Sequence, residues 1–181
     1  MSAALLYLWL VMTTYVALLR AVNVGGTGKL PMSDLKALCT KLDFREVETY
    51  AVSGNVVFSS DLALAKVHAR LKQSLRSYAG KEVGLFVRTA AQMRTVLSSN
   101  PFVGKDPRFT YVIFLDRTPS ANTISACRGR AQEELRFGQR EIYVYYPTGM
   151  GQSKLQIPAA DSGTARNMNT VARLVEMCDR G

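Results

Sequence analysis

YVALLRAVNVGGTGKLP, residues 15–31, decides how the chain reads. Residues 15–20 are an apolar, β-rich run that predicts a strand. Residues 23–29, NVGGTGK, follow as a glycine loop. Pro31, Ser33 and Asp34 then open a helix, with Ser33 placed to cap it. Its buried stripe falls on Leu35, Leu38, Cys39 and Leu42. A strand, a loop and a helix in that order begin a βα unit.

The pattern continues outward. Residues 47–52 and 56–58 read as two strands joined through Ser53, Gly54 and Asn55, a short turn signal. Leu64, Val67, Leu71, Leu75 and Tyr78 mark a second helical stripe, which Gly80 should end. Residues 83–88 are a fourth strand. The order βαββαβ is that of the ferredoxin-like arrangement. After a short helix over 90–97, residues 109–115 predict a strand and 119–132 a helix. Residues 135–137 and 142–146 predict a hairpin. A long loop, 147–163, then leads to a last helix over 164–179, with Val171, Leu174, Val175 and Cys178 facing inward. The expected fold is α+β, with two ferredoxin-like βαββα halves and antiparallel sheets. The halves span residues 14–88 and 89–181, after an apolar extension over 1–13. The duplication is one of element order, with no residue-level repeat.

Composition fits such a fold. Of 181 residues, 48% are apolar, enough for a substantial core. The net charge is +9. Residues 1–90 carry 11 basic and 6 acidic side chains, and residues 91–181 carry 12 and 8. The excess is therefore spread evenly, with no basic tail. A positive field favours anionic partners, although it also serves plain solubility. Cys39, Cys127 and Cys178 are odd in number, lie far apart and form no CxxC. Each stands beside helix-spaced apolar residues, which predicts buried reduced thiols and a cytoplasmic location. The apolar run from Ala3 to Leu19 is barely long enough to span a bilayer. Thr13 and Thr14 interrupt it, and no basic residue precedes it as in a signal peptide. No membrane association is expected. Residues 1–11 read as a dispensable extension, with Met12 as the natural start.

Five blocks then resemble one bacterial family. They are residues 15–31, TYAVSGNVVF over 49–58, Asn100-Pro101-Phe102, Ser153-Lys154-Leu155, and TARNMNTV over 164–171. Together they resemble the family catalogued as domain of unknown function 1697, over roughly residues 14–179. The resemblance implies two ferredoxin-like repeats in a small cytosolic protein and implies no activity. Ala21 stands where the family usually has glycine. Met168 stands where it usually has tryptophan.

The motifs point to binding of a small anionic or nucleotide-like ligand at polar glycine loops, and no catalytic motif is recognisable. The 23–29 loop fails as a Walker A motif: its first glycine would fall at Asn23, and Leu30 replaces the Ser or Thr that binds magnesium. It also fails G-x-G-x-x-G, and no other cofactor fingerprint appears. Gly25 and Gly26 nevertheless expose backbone N–H groups, Lys29 adds charge, and a helix N-terminus follows. The glycines also suit a plain βα connection. In a ferredoxin-like half, strands one and two end at the same sheet edge. Asn23 and Lys29 should then lie beside Ser53, Gly54 and Asn55, which also suit local turn bonding. A second candidate comprises Lys154, Arg166 and Asn167 around the start of the last helix, with Thr164 as its cap. His68, the one histidine, reads as surface or half-buried filler, and no metal site is expected. Nucleophilic and metal chemistry lose most of their usual residues. Two other roles stay open. One is nucleic-acid binding, by the diffuse positive surface or by base stacking on Tyr15 and Phe58. The other is a protein-interaction or oligomeric role.

Overall fold

Strand β1, Thr13–Arg20, is buried from Tyr15 to Leu19. Val16 and Leu18 enter one apolar cluster; Tyr15, Ala17 and Leu19 enter another. Burial on both faces accounts for the unbroken apolar run. The computed structural model describes residues 11–23 and 29–180. It is a mixed α+β fold with two four-stranded antiparallel sheets and, among the described residues, four α-helices.

The first sheet has the order β2-β3-β1-β4, with β2 at Arg45–Tyr50, β3 at Asn55–Ser60 and β4 at Gly84–Thr89. Helices α1, Met32–Lys41, and α2, Leu64–Ala79, cover its outer face through Leu35, Cys39, Val67, Leu71 and Leu75. Gly80 ends α2 in the left-handed region, φ 67°, as its position predicts. Pro31 rather than Ser33 stands at the N-cap of α1, without a side-chain cap. The Ser33 hydroxyl donates to Asp34 instead.

The second sheet repeats the order as β6-β7-β5-β8. Its strands are β5 at Thr110–Phe114, β6 at Glu134–Phe137, β7 at Glu141–Tyr145 and β8 at Thr164–Asn167. Two expectations need correction here. Residues 119–132 hold a 3-10 turn, Ala121–Thr123, in place of a helix. The hydroxyls of this Ser/Thr/Asn-rich stretch compete for the backbone, as Ser125 does by donating to the Asn122 carbonyl. Residues 164–167 are a strand, not the first turn of the last helix, which is α4, Met168–Cys178. Pairing with β5 supplies the backbone bonds, and Asn167 caps α4 in place of Thr164. A loop carrying Leu155, Ile157, Ala159 and Ala160 packs on the outer face of this sheet.

The inner faces of both sheets share the cluster that Val16 and Leu18 enter with α3, Ala90–Ser98, and α4. Each of these helices follows an edge strand directly. Thr89 caps α3 through a capping box with Gln92, and Asn167 caps α4 by accepting from the Thr170 amide. Buried residues then recur in step: Ala90, Met93 and Val96 in α3, and Met168, Val171 and Leu174 in α4. Met168 is therefore a core side chain. Among the described residues, no helix is long and apolar enough to cross a membrane.

Candidate functional site

Five of the expected site residues, Asn23, Ser53, Gly54, Asn55 and Arg166, meet where the two sheets join. Asn23 lies in the left-handed region, φ 58°, which asparagine tolerates. Its amide donates to the Leu30 carbonyl at 2.8 Å and the Val52 carbonyl at 2.9 Å, and its Oδ1 accepts from the Leu30 amide. This pins the two ends of the glycine segment to the β2–β3 turn, as strand direction predicts. Within that turn Asn55 Nδ2 donates to the Tyr50 carbonyl and to Ser53 Oγ. Gly54 has φ 80°, and a Cβ there would stand 2.6 Å from Val22. Only glycine fits that position.

Arg166 arrives from β8. Its five N–H donors meet five acceptors: Asn55 Oδ1, Thr164 Oγ1 and the carbonyls of Ala165, Leu19 and Ser53. It is 7% exposed. No carboxylate faces it among these bonds, and burial pushes its pKa down to about 10. The guanidinium still carries its charge at neutral pH. Every donor of the guanidinium is spent within the protein, so Arg166 has none left for a ligand. It is a lock between the sheets.

A second lock mirrors the first. Arg88, 2% exposed on β4, reaches into the second sheet. It donates to the Leu115 carbonyl at 2.9 Å and pairs with Glu141 Oε1 at 3.2 Å. Burial and neighbouring Arg140 lower its pKa; Glu141 opposes them. The strand registers match. Arg88 stands opposite Val16 and Arg166 opposite Val112. Asn55 stands opposite Leu18 and Glu141 opposite Phe114. Leu19 and Leu115 supply the equivalent carbonyls. The halves are thus related by a residue-level two-fold that exchanges arginines, a repeat that element order alone does not reveal.

The remaining expected residues separate. Lys154 is exposed on the loop over the second sheet, where its backbone lies against Gly129. Asn167 is committed to capping α4. Neither joins the Asn23 cluster. Gly25 and Gly26 lie outside the described residues. Ser153 of the Ser-Lys-Leu block ties that loop down by donating to Glu133. His68 is half-buried, with Nε2 3.2 Å from the Leu85 carbonyl. Tyr15 and Phe58 lie in the core beneath α1 and α2, so bases cannot stack on them. Cys39 and Cys178 are buried and Cys127 half-buried; all are free, and burial pushes the Cys39 thiol up to about 12. Among the described residues, no group of three His, Cys, Asp or Glu could hold a metal.

Lys29 does line an open site. A cleft of about 490 Å³ lies where β1 ends and β4 begins, against the last turn of α2. Leu75, Val22 and Leu30 floor it and are buried. Arg20, Lys29 and Lys81 line it with positive charge, against one carboxylate, Glu82. Glu82 pairs with Arg76 at 3.2 Å and Lys72 at 3.7 Å, so its charge is already opposed. Gly84 stands opposite Arg20. The Arg20 stem crosses it so closely that a Cβ there would stand 2.7 Å from Arg20 Cβ. Sequence reasoning missed Arg20, Tyr78, Lys81 and Gly84 as neighbours of Lys29. The available signal was the antiparallel β1–β4 pairing, which brings residue 84 opposite residue 20.

A family described as "Protein of unknown function (DUF1697)" matches residues 12–143 of the chain. No curated protein matches it. Among solved structures, the chain is similar to the conserved bacterial protein SP0830 from Streptococcus pneumoniae. The TM-score is 0.79 at 23% identity, over 93% of this chain and 99% of that one. At that identity the likeness bears on the fold alone.

Proposed function

The chain belongs to the DUF1697 family, and from that premise we propose that it binds a small anionic ligand in the cleft between β1, β4 and α2. The carrying observation is the convergence of Arg20, Lys29 and Lys81 on one apolar-floored cleft of about 490 Å³. That volume suits a small molecule, since ligand pockets run from roughly 300 to 1,000 Å³. Lys29 keeps the role its sequence position predicts. The Asn23 cluster serves a different end: it holds the glycine segment and the lock in place beside the cleft. Each half is, on this reading, a ferredoxin-like unit, supported by the shared strand order; in the second, 3-10 turns and loops stand in place of both crossover helices. A cytoplasmic location is supported by three free cysteines.

Thermal unfolding with inorganic phosphate and pyrophosphate at low ionic strength tests this. A ligand that binds only the folded state raises the melting temperature by mass action. The wild-type protein should be stabilised in a dose-dependent way by pyrophosphate. The Arg20→Ala/Lys29→Ala variant, altered at two exposed positions, should fold normally and lose that response. An equal response in both proteins, or none in the wild type, contradicts the reading.

A further inference from the structure

The cleft has one wall that simple anion binding does not use. Tyr78, in the last turn of α2, lines it and is 43% exposed. Its hydroxyl donates to Asp34 Oδ2 of α1 at 2.6 Å, which holds the ring from its far end. A tethered ring loses little freedom when something packs against it. Val22, Leu30 and Leu75 lie in the same cleft, and Val83 is half-buried beside them. A bare phosphate would leave this apolar surface wet, and burying it favours a ligand with a flat apolar body. The cations of the cleft match an anionic end.

We propose that the cleft takes a nucleoside phosphate, with its base against the Tyr78 ring and the apolar floor and its phosphate at Arg20 and Lys29. This rests on the anion-binding reading above and names the ligand class for the same site. Lys81 adds positive potential at the phosphate end. Gly84 lets the Arg20 stem lie across β4, so it is a positioning residue for that guanidinium.

Equilibrium titration of the full chain with five kinds of probe tests the inference: AMP, GMP, CMP and UMP as a set, the matching nucleosides, ribose 5-phosphate, inorganic phosphate, and pyrophosphate. At least one nucleotide should bind tenfold or more tightly than ribose 5-phosphate and than its own nucleoside. Tyr78→Leu should reduce nucleotide affinity about tenfold, in the range of one base–aromatic stack, and leave pyrophosphate affinity unchanged. Tyr78→Phe keeps the ring and should retain nucleotide binding to within a few-fold. Lys29→Ala should weaken both kinds of anion. If ribose 5-phosphate binds as tightly as every nucleotide while Lys29→Ala weakens it, the nucleoside inference is overturned and anion binding stands. If no phosphate-bearing probe binds, both are overturned.

Discussion

Ala21 holds a backbone conformation that alanine rarely adopts, φ 54°. It stands between Arg20 and Val22, both of which line the cleft. A left-handed L-residue costs roughly 1–2 kcal/mol, and this is the position where the resembling family usually has glycine. Glycine accepts φ of either sign but loses more entropy on folding, about 0.4–1 kcal/mol. The difference predicts that Ala21→Gly stabilises the fold by about 0.5–1 kcal/mol, read as a higher urea midpoint at unchanged slope. A lower midpoint would show that the alanine methyl matters more than the strain. Asn23, two residues on, needs no such relief, because its side chain bonds Leu30 and Val52 from that conformation. Its sequence signal was correctly placed beside the turn. Its bonds to Leu30 and Val52 depend on how the chain folds back on itself, which a loop's local sequence does not carry.

At the scale of elements, the first half was legible because each element carried its own signal. The α2 stripe from Val67 to Leu75 and the stop at Gly80 are both local features, and the structure keeps them. The hairpin of β6 and β7 follows from its turn in the same way. The second half misled at two places. Residues 119–132 have Ile124, Cys127 and Ala131 at helical spacing, yet the stretch packs as a turn bridged to the long loop through Arg128 and Gln156. Spacing cannot show that a partner segment will take the backbone bonds. Residues 164–167 make too short a strand to signal itself, and only pairing with β5 defines it. That miss matters for the site, since it put Arg166 on a helix where a ligand could reach it. On β8 the same side chain turns inward between the sheets.

The whole molecule is two sheets locked by two exchanged arginines. Replacing Arg88 by Met leaves Glu141 buried without its partner, which should cost about 3–5 kcal/mol. Adding Glu141→Gln should recover more than about 1 kcal/mol of that loss, a coupling measurable by a double-mutant cycle in urea. Strictly additive losses would mean that the pair does not act as a unit. The Arg166 lock works without a carboxylate, through five neutral acceptors, and it seats the β2–β3 turn that in turn holds Asn23. The rigid junction and the open cleft are thus distinct parts. One uses buried cations bonded across the sheets; the other uses cations lining a cleft over an apolar floor. The claim that this cleft is the ligand site is tested most directly by an amide ¹H–¹⁵N titration of the wild-type protein with pyrophosphate. The account predicts saturable shifts concentrated at Arg20, Val22, Leu30, Val83 and Gly84. Shifts clustered instead around Lys154 and Arg166, or none at saturating pyrophosphate, would contradict it.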